Sequence, residues 1–310
     1  MKLKKRFQKI HIEITNICNL QCSFCPPVQR TKKMMDLDLF RQLIAEIAPL
    51  TELVCLHLMG EPLAHPQFVE MVEICDQYAL NIFLVTNGVL MKSDKHNILL
   101  HPRFYQINLS LHSFYDNFAD ADASRYLQRI FDFTDRALEE RPDLYINYRL
   151  WNLSDPQGQK HLNQEMLQRV CEYYQYQAPQ LVDVRRQKSF KMQGRLYLHF
   201  DTEFVWPNME LPLLGEEGRC YGLKSHFGVL ADGTVVPCCL DKEGVIALGH
   251  FPENSLTAIL ASERAMNILN GFRNKRLIEP LCQRCQYIQR FNQNPLGATS
   301  KENLIEISVS

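Results

Sequence analysis

Lys9-Ile10-His11-Ile12-Glu13-Ile14-Thr15 alternates polar and apolar side chains, the two-residue period of a strand. Cys18-Asn19-Leu20-Gln21-Cys22-Ser23-Phe24-Cys25 follows, with three and then two residues between its cysteines. A strand that runs into a cysteine loop decides how the rest of the chain reads, because loops at the carboxyl ends of strands carry the chemistry of βα folds.

Outward from that loop, strand-like and helix-like stretches take turns. Residues 36–48 place Leu39, Phe40, Leu43, Ile44 and Ile47 at helical spacing, and residues 53–58 read as a buried strand. Pro66 is suited to starting a helix whose inner face is Phe68, Met71, Val72 and Cys75. Residues 81–85 form a strand ending at Thr86-Asn87-Gly88, and residues 105–111 form the next. Residues 122–139 fit a helix, 144–150 a fifth strand, 160–175 a fifth helix, and 181–184 a candidate sixth strand. This order predicts parallel βαβ units with right-handed crossovers. The predicted fold is α/β: a partial (β/α)6 TIM-like barrel with a small C-terminal, cysteine-bearing domain. The predicted domains are 1–200, the barrel; 201–290, the second, smaller domain; and 291–310, a C-terminal tail. A boundary near 201–219 is marked by Pro207, Pro212, Gly215 and Gly218. Beyond it, Asp232-Gly233 between apolar runs signals a hairpin, and Ser255 can cap a helix running to about Gly271.

The 310 residues carry a net charge of −1, so no general pull toward nucleic acid or anionic membrane is expected. Lys2, Lys4, Lys5 and Arg6 precede no apolar run, which speaks against a signal peptide, and no stretch has the length of a membrane span. A cytoplasmic location and no membrane partner are the expectation. Eleven cysteines are many for such a compartment, where disulfides are rare; their clustering argues for metal ligation. Three ligands from one short loop leave one iron of a 4Fe–4S cubane open to chelate a small molecule. Zinc is the competing occupant, but the loop offers no fourth ligand.

With these residues the chain resembles the radical S-adenosylmethionine (SAM) superfamily. Cys18, Cys22 and Cys25 match its cluster-binding loop, and Phe24 matches the aromatic residue near the adenine. Met59-Gly60-Glu61-Pro62 resembles the segment that binds the methionyl amine, with Met in place of the first glycine. Ser110 matches a serine used on the ribose, and Arg149 sits where some members place a carboxylate partner. The resemblance implies S-adenosylmethionine as cofactor, a reducing partner such as flavodoxin or ferredoxin, and hydrogen abstraction by a 5′-deoxyadenosyl radical. The physics fits Glu61, since a carboxylate at a strand end accepts charge-assisted bonds from an ammonium.

Cys220, Cys238, Cys282 and Cys285 form a second set, at separations of 18, 44 and 3. It resembles the short form of the SPASM domain, sometimes called twitch, which holds one auxiliary 4Fe–4S cluster; structural zinc is the alternative. Cys239 is read as a packing residue, Cys55, Cys75 and Cys171 as buried hydrophobes, and His11, His57 and His112 as core or rim histidines. The resemblance points to oxidation or cross-linking of a peptide or protein. Dehydrogenation of a carbohydrate or aminocyclitol, or of another small molecule, and radical modification of RNA are the alternatives. For RNA the motive is a basic run, Arg185, Arg186, Lys188, Lys191 and Arg195, with Phe190 and Tyr197 interleaved. A non-enzymatic electron carrier would need no open iron.

Overall fold

The structure is a computed structural model, and it describes residues 5–119, 121–151, 160–184, 186–202, 205–288 and 304–306. Lys2, Lys4, Arg185 and most of the 291–310 tail lie outside the described residues. The chain divides into two units. One comprises Met1–Asn19, Pro27–Leu84 and Phe204–Gln293, the other Leu20–Pro26, Val85–Glu203 and Asn294–Ser310.

In the first unit, β1 (Ile10–Ile12) lies between two parallel neighbours, β2 (Leu53–Cys55) and β9 (Gly228–Val229). β2 pairs in parallel with the start of β3 (Asn81–Thr86). β9 turns through Asp232-Gly233 into antiparallel β10 (Thr234–Val236), which pairs with β11 (Gly249–His250). The hairpin forms as the Asp-Gly pair predicts: Gly233 has φ +96°, and a Cβ there would meet the Phe251 carbonyl oxygen at 2.1 Å. Helices α1 (Leu37–Ile47) and α2 (Phe68–Gln77) pack together in this unit. Asp36 caps α1, accepting from the Asp38 and Leu39 amides. Phe40, Leu43, Ile44 and Ile47 of α1 are fully buried, each contributing roughly 1.5–3 kcal/mol of burial. Pro66 stands two residues before α2; the chain first makes a short turn at Pro62–Ala64. The helix expected from Ser255 to Gly271 is two helices. Ser255 caps α7 (Leu256–Leu260), and Ser262 caps α8 (Glu263–Arg273).

In the second unit, β4 (Phe104–Ser110), β5 (Tyr145–Leu150) and β8 (Leu196–Phe200) are parallel neighbours, and β7 (Ser189–Gln193) adds antiparallel to β8. Helices α3 (Ser93–Leu99), α4 (His112–Asn117), α5 (Ser124–Glu140) and α6 (Lys160–Tyr173) complete it. The sixth parallel strand is therefore Leu196–Phe200, not 181–184. β6 (Leu181–Asp183) instead pairs antiparallel with β12 (Leu304–Glu306) in a separate two-stranded sheet. The fold is α/β with predominantly parallel strands, and neither unit's sheet closes on itself, as a partial barrel requires. Among the described residues no helix is long and apolar enough to cross a membrane.

Candidate functional site

The loop after β1 leaves its thiols accessible: Cys18 and Cys25 are exposed and Cys22 is half-buried. Cys18 belongs to the first unit, Cys22 and Cys25 to the second. In the first unit, Gly60 lies against the backbone just before Cys18. Its φ is +75°, and a Cβ would stand 2.4 Å from the Thr15 carbonyl oxygen and 2.9 Å from that of Ile17. The Glu61 amide donates to the Ile17 carbonyl at 3.0 Å. The Glu61 carboxylate is 2% exposed and accepts from the Leu63 amide at 3.0 Å, capping the short turn that follows.

In the second unit, the Cys25 amide donates to the Cys22 carbonyl, closing the loop, and α4 holds it from one side. Asn117 Nδ2 donates to Cys22 Sγ at 3.2 Å while Asn117 Oδ1 accepts from the Gln21 amide. Asp116 accepts from the Ser23 amide and hydroxyl. The Phe24 ring lies 4.7 Å from the ring of His112, and His112 Nδ1 is 3.0 Å from the Arg149 carbonyl oxygen. Burial pushes the His112 pKa down to about 3, so the ring is neutral and donates to that carbonyl. Ser110 and Arg149 stand opposite one another in the β4–β5 ladder.

The Arg149 guanidinium lies 3.3 Å from the Trp151 ring centroid, and burial pushes its pKa down to about 9 despite the nearby Asp201 carboxylate and Cys25 thiol. Arg149 Nε, Trp151 Nε1 and His199 Nε2 are all buried without a hydrogen-bond partner. Such groups cost about 1–3 kcal/mol each unless a ligand meets them, so the donors of Arg149 and Trp151 fit an anionic group. Sequence reading missed Asn117, Trp151 and His199.

The other donor set lies within the first unit. Burial first, and then neighbouring Cys239, Cys220 and Cys282, raise the Cys238 thiol pKa. Cys282 is raised by burial and by Cys220 and Cys285, and Cys285 is pushed up to about 11 with Cys220 and Cys239 contributing. Five thiols thus stand within electrostatic reach of one another. A cluster of thiols that suppress each other's ionisation fits a polyvalent metal centre, which relieves the repulsion by holding them as thiolates. Cys239 lies in this group and also within reach of Cys55.

Fold and donor sets together describe an α/β protein with two groups of cysteines suited to ligating metal. Residues 12–152 match the Radical SAM superfamily, and residues 220–286 match SPASM, an iron-sulfur cluster-binding domain. The chain carries a radical SAM domain followed by a SPASM domain, and these domains imply S-adenosylmethionine, a 4Fe–4S cluster and auxiliary iron–sulfur ligation. It is 29% identical over 112 residues to the PqqA peptide cyclase of Bradyrhizobium diazoefficiens, covering 35% of this chain and 30% of that one. It is 33% identical over 117 residues to the GTP 3′,8-cyclase of a Synechocystis species, covering 35% of each. The matched regions span only 25–35% of the curated relatives' own lengths. In fold it is similar to BtrN solved with AdoMet and 2-DOIA, with a TM-score of 0.57, 15% identity, and 92% of this chain and 94% of that one covered.

Proposed function

We propose that this enzyme oxidises or cross-links a peptide or protein substrate. The observation that carries the reading is the half-buried cysteine group of the first unit, in which Cys220, Cys238, Cys282 and Cys285 supply four thiolates and so saturate one cluster. When bound, the first cluster and S-adenosylmethionine supply a hydrogen-abstracting 5′-deoxyadenosyl radical, and the auxiliary cluster supplies an acceptor for a second electron. Net oxidation uses such an acceptor, whereas redox-neutral isomerisation does not. The similarity to PqqA peptide cyclase supports a peptide as the substrate class.

In this reading Cys18, Cys22 and Cys25 hold the first cluster. The Glu61 carboxylate binds the ammonium of S-adenosylmethionine, and the Arg149 guanidinium its carboxylate. Ser110 holds the ribose and Phe24 packs near the adenine. His112 orients Phe24 by ring contact and stays neutral beside it. A nucleic acid substrate is less supported. Lys188 is paired with Asp201 at 2.6 Å, Arg186 faces Asp183 at 3.6 Å, and Arg195 donates to the Asp143 carbonyl over the Tyr145 ring. Three members of the basic run thus have partners within the protein. A reducing protein such as flavodoxin or ferredoxin completes the proposed system.

The test is anaerobic turnover of the iron-reconstituted chain with dithionite, offering short peptides encoded beside its gene. The expected result is 5′-deoxyadenosine together with a peptide lighter by two hydrogens. Replacing Cys18, Cys22 and Cys25 together by Ala should abolish both while leaving the auxiliary iron bound. A nucleotide or sugar oxidised while every peptide returns unchanged would overturn the peptide reading.

A further inference from the structure

A third donor group lies in the first unit, apart from both cysteine sets assigned above. His11 on β1 stands opposite Cys55 on β2 in the parallel ladder, and His57 follows two residues after Cys55. One ligand atom from each of His11, Cys55 and His57 lies within 4.8 Å of the other two. Cys55 is fully buried and His11 is 5% exposed. Both ring nitrogens of His11 are buried with no hydrogen-bond partner; the His57 backbone approaches the ring without reaching hydrogen-bond geometry. Ring packing alone accounts for part of this arrangement. The His11 and His57 rings meet edge to face at 5.7 Å, and His57 meets Phe83 at 5.0 Å. It does not account for an imidazole with neither nitrogen satisfied, since each unmet polar group in a core costs about 1–3 kcal/mol.

We propose that His11, Cys55 and His57 form a binding site for a zinc-class divalent cation. Two imidazole nitrogens and one sulfur suit zinc and its borderline-soft neighbours, while calcium and magnesium take oxygen ligands. Three protein ligands leave one position of a tetrahedron. Cys239, the member of the adjacent pair that the four-thiolate set does not need, stands within electrostatic reach of Cys55 and offers a further thiol. Binding releases the Cys55 thiol proton to solvent and changes no oxidation state. Lys9 stands near both Cys55 and His11, and His226 near His11. The Lys9 ammonium opposes a bare dication, and the Cys55 thiolate offsets it. A cation held here ties β1 to β2 just ahead of the cysteine loop. Its stabilisation grows as RT ln(1 + [M]/Kd).

The test uses the full chain after anaerobic iron–sulfur reconstitution, exposed to zinc and desalted against a competing chelator. The expected result is about one zinc per chain with the iron content unchanged, and an X-ray absorption spectrum showing mixed nitrogen and sulfur ligands. Cys55→Ala and His57→Gln should each weaken zinc binding by at least about tenfold without loss of iron. His57 is only half-buried, so that variant keeps the test open if Cys55→Ala does not fold. Absence of retained zinc in the wild type, an all-sulfur zinc shell, or unchanged affinity in a folded variant would overturn the proposal.

Discussion

Gly60 and Glu61 show how one backbone angle can place a buried carboxylate. Gly60 occupies the left-handed region at φ +75° and touches the Thr15 and Ile17 carbonyls, so the Glu61 amide reaches Ile17. A Cβ would be strained in conformation, by about 1–2 kcal/mol, and would also clash with the Thr15 oxygen. Gly60→Ala should therefore lower the stability of the chain by at least about 1 kcal/mol and weaken S-adenosylmethionine binding. Chemical denaturation and anaerobic ligand titration check the two effects. An unchanged unfolding midpoint would show that the loop has another way past Thr15. The glycine requirement was visible in the sequence only as Gly60 beside Glu61. The contact that enforces it lies across the chain at Thr15, which no local pattern records.

Helix α4 shows what a short element does when its position is right. Its six residues, His112–Asn117, are fewer than two turns, too short for a periodic apolar stripe, so no sequence pattern marks it. Yet it presents His112 to Phe24 and Asn117 to both Gln21 and Cys22. An N–H donated to a ligating sulfur stabilises the thiolate and raises a cluster's potential. Asn117→Ala should make the first cluster harder to reduce and lower its iron affinity by about ten- to a hundredfold. Electron paramagnetic resonance against a potential scale, with iron analysis, reads both. A potential unmoved by the change would remove Asn117 from the cluster's surroundings. Elements with a clear period were legible: α1, α5, the β9–β10 hairpin and the first five parallel strands stand where alternation and turn residues put them. β8 was missed although Leu196, Leu198 and Phe200 alternate inward, because the basic run from Arg185 to Arg195 with Phe190 and Tyr197 interleaved reads as a nucleic-acid surface and not as strands. The break between α7 and α8 was missed because apolar spacing continues on both sides of it, and only Ser262, a second capping residue, marks it.

At the scale of the whole molecule, stability should depend on pH through histidines kept neutral inside. His112 is the clearest case, with burial as the main cause and a pKa pushed down to about 3. The unfolded chain takes up that proton below about pH 6.5, and the folded chain does not until near pH 3. Between those values the unfolded state binds more protons. Stability is therefore full above about 6.5 and falls as the pH drops, approaching about 1.4 kcal/mol per pH unit for this one residue. Denaturation midpoints measured from about pH 7 to about pH 5 should fall, and His112→Gln should flatten the fall. An identical slope in the variant would show that His112 already finds its proton in the folded state. Both cysteine groupings were visible in the sequence, the first within eight residues and the second spread over residues 220–285. Their settings were not, since the His112 bond to Arg149 and the Cys239 approach to Cys55 join residues far apart in the chain.

The parallel pairing of β1 with β9 also bears on how the chain is made. His11 meets Gly228 only after roughly 200 further residues have left the ribosome, about 10–40 s at ordinary elongation rates. During that interval one edge of the first strand presents unpaired amides and carbonyls, the surface through which strands recruit foreign chains. A nascent chain stalled before Gly228 keeps its leading strand open on that side, so expression yield should depend on translation speed and chaperone supply as much as on the finished protein's stability.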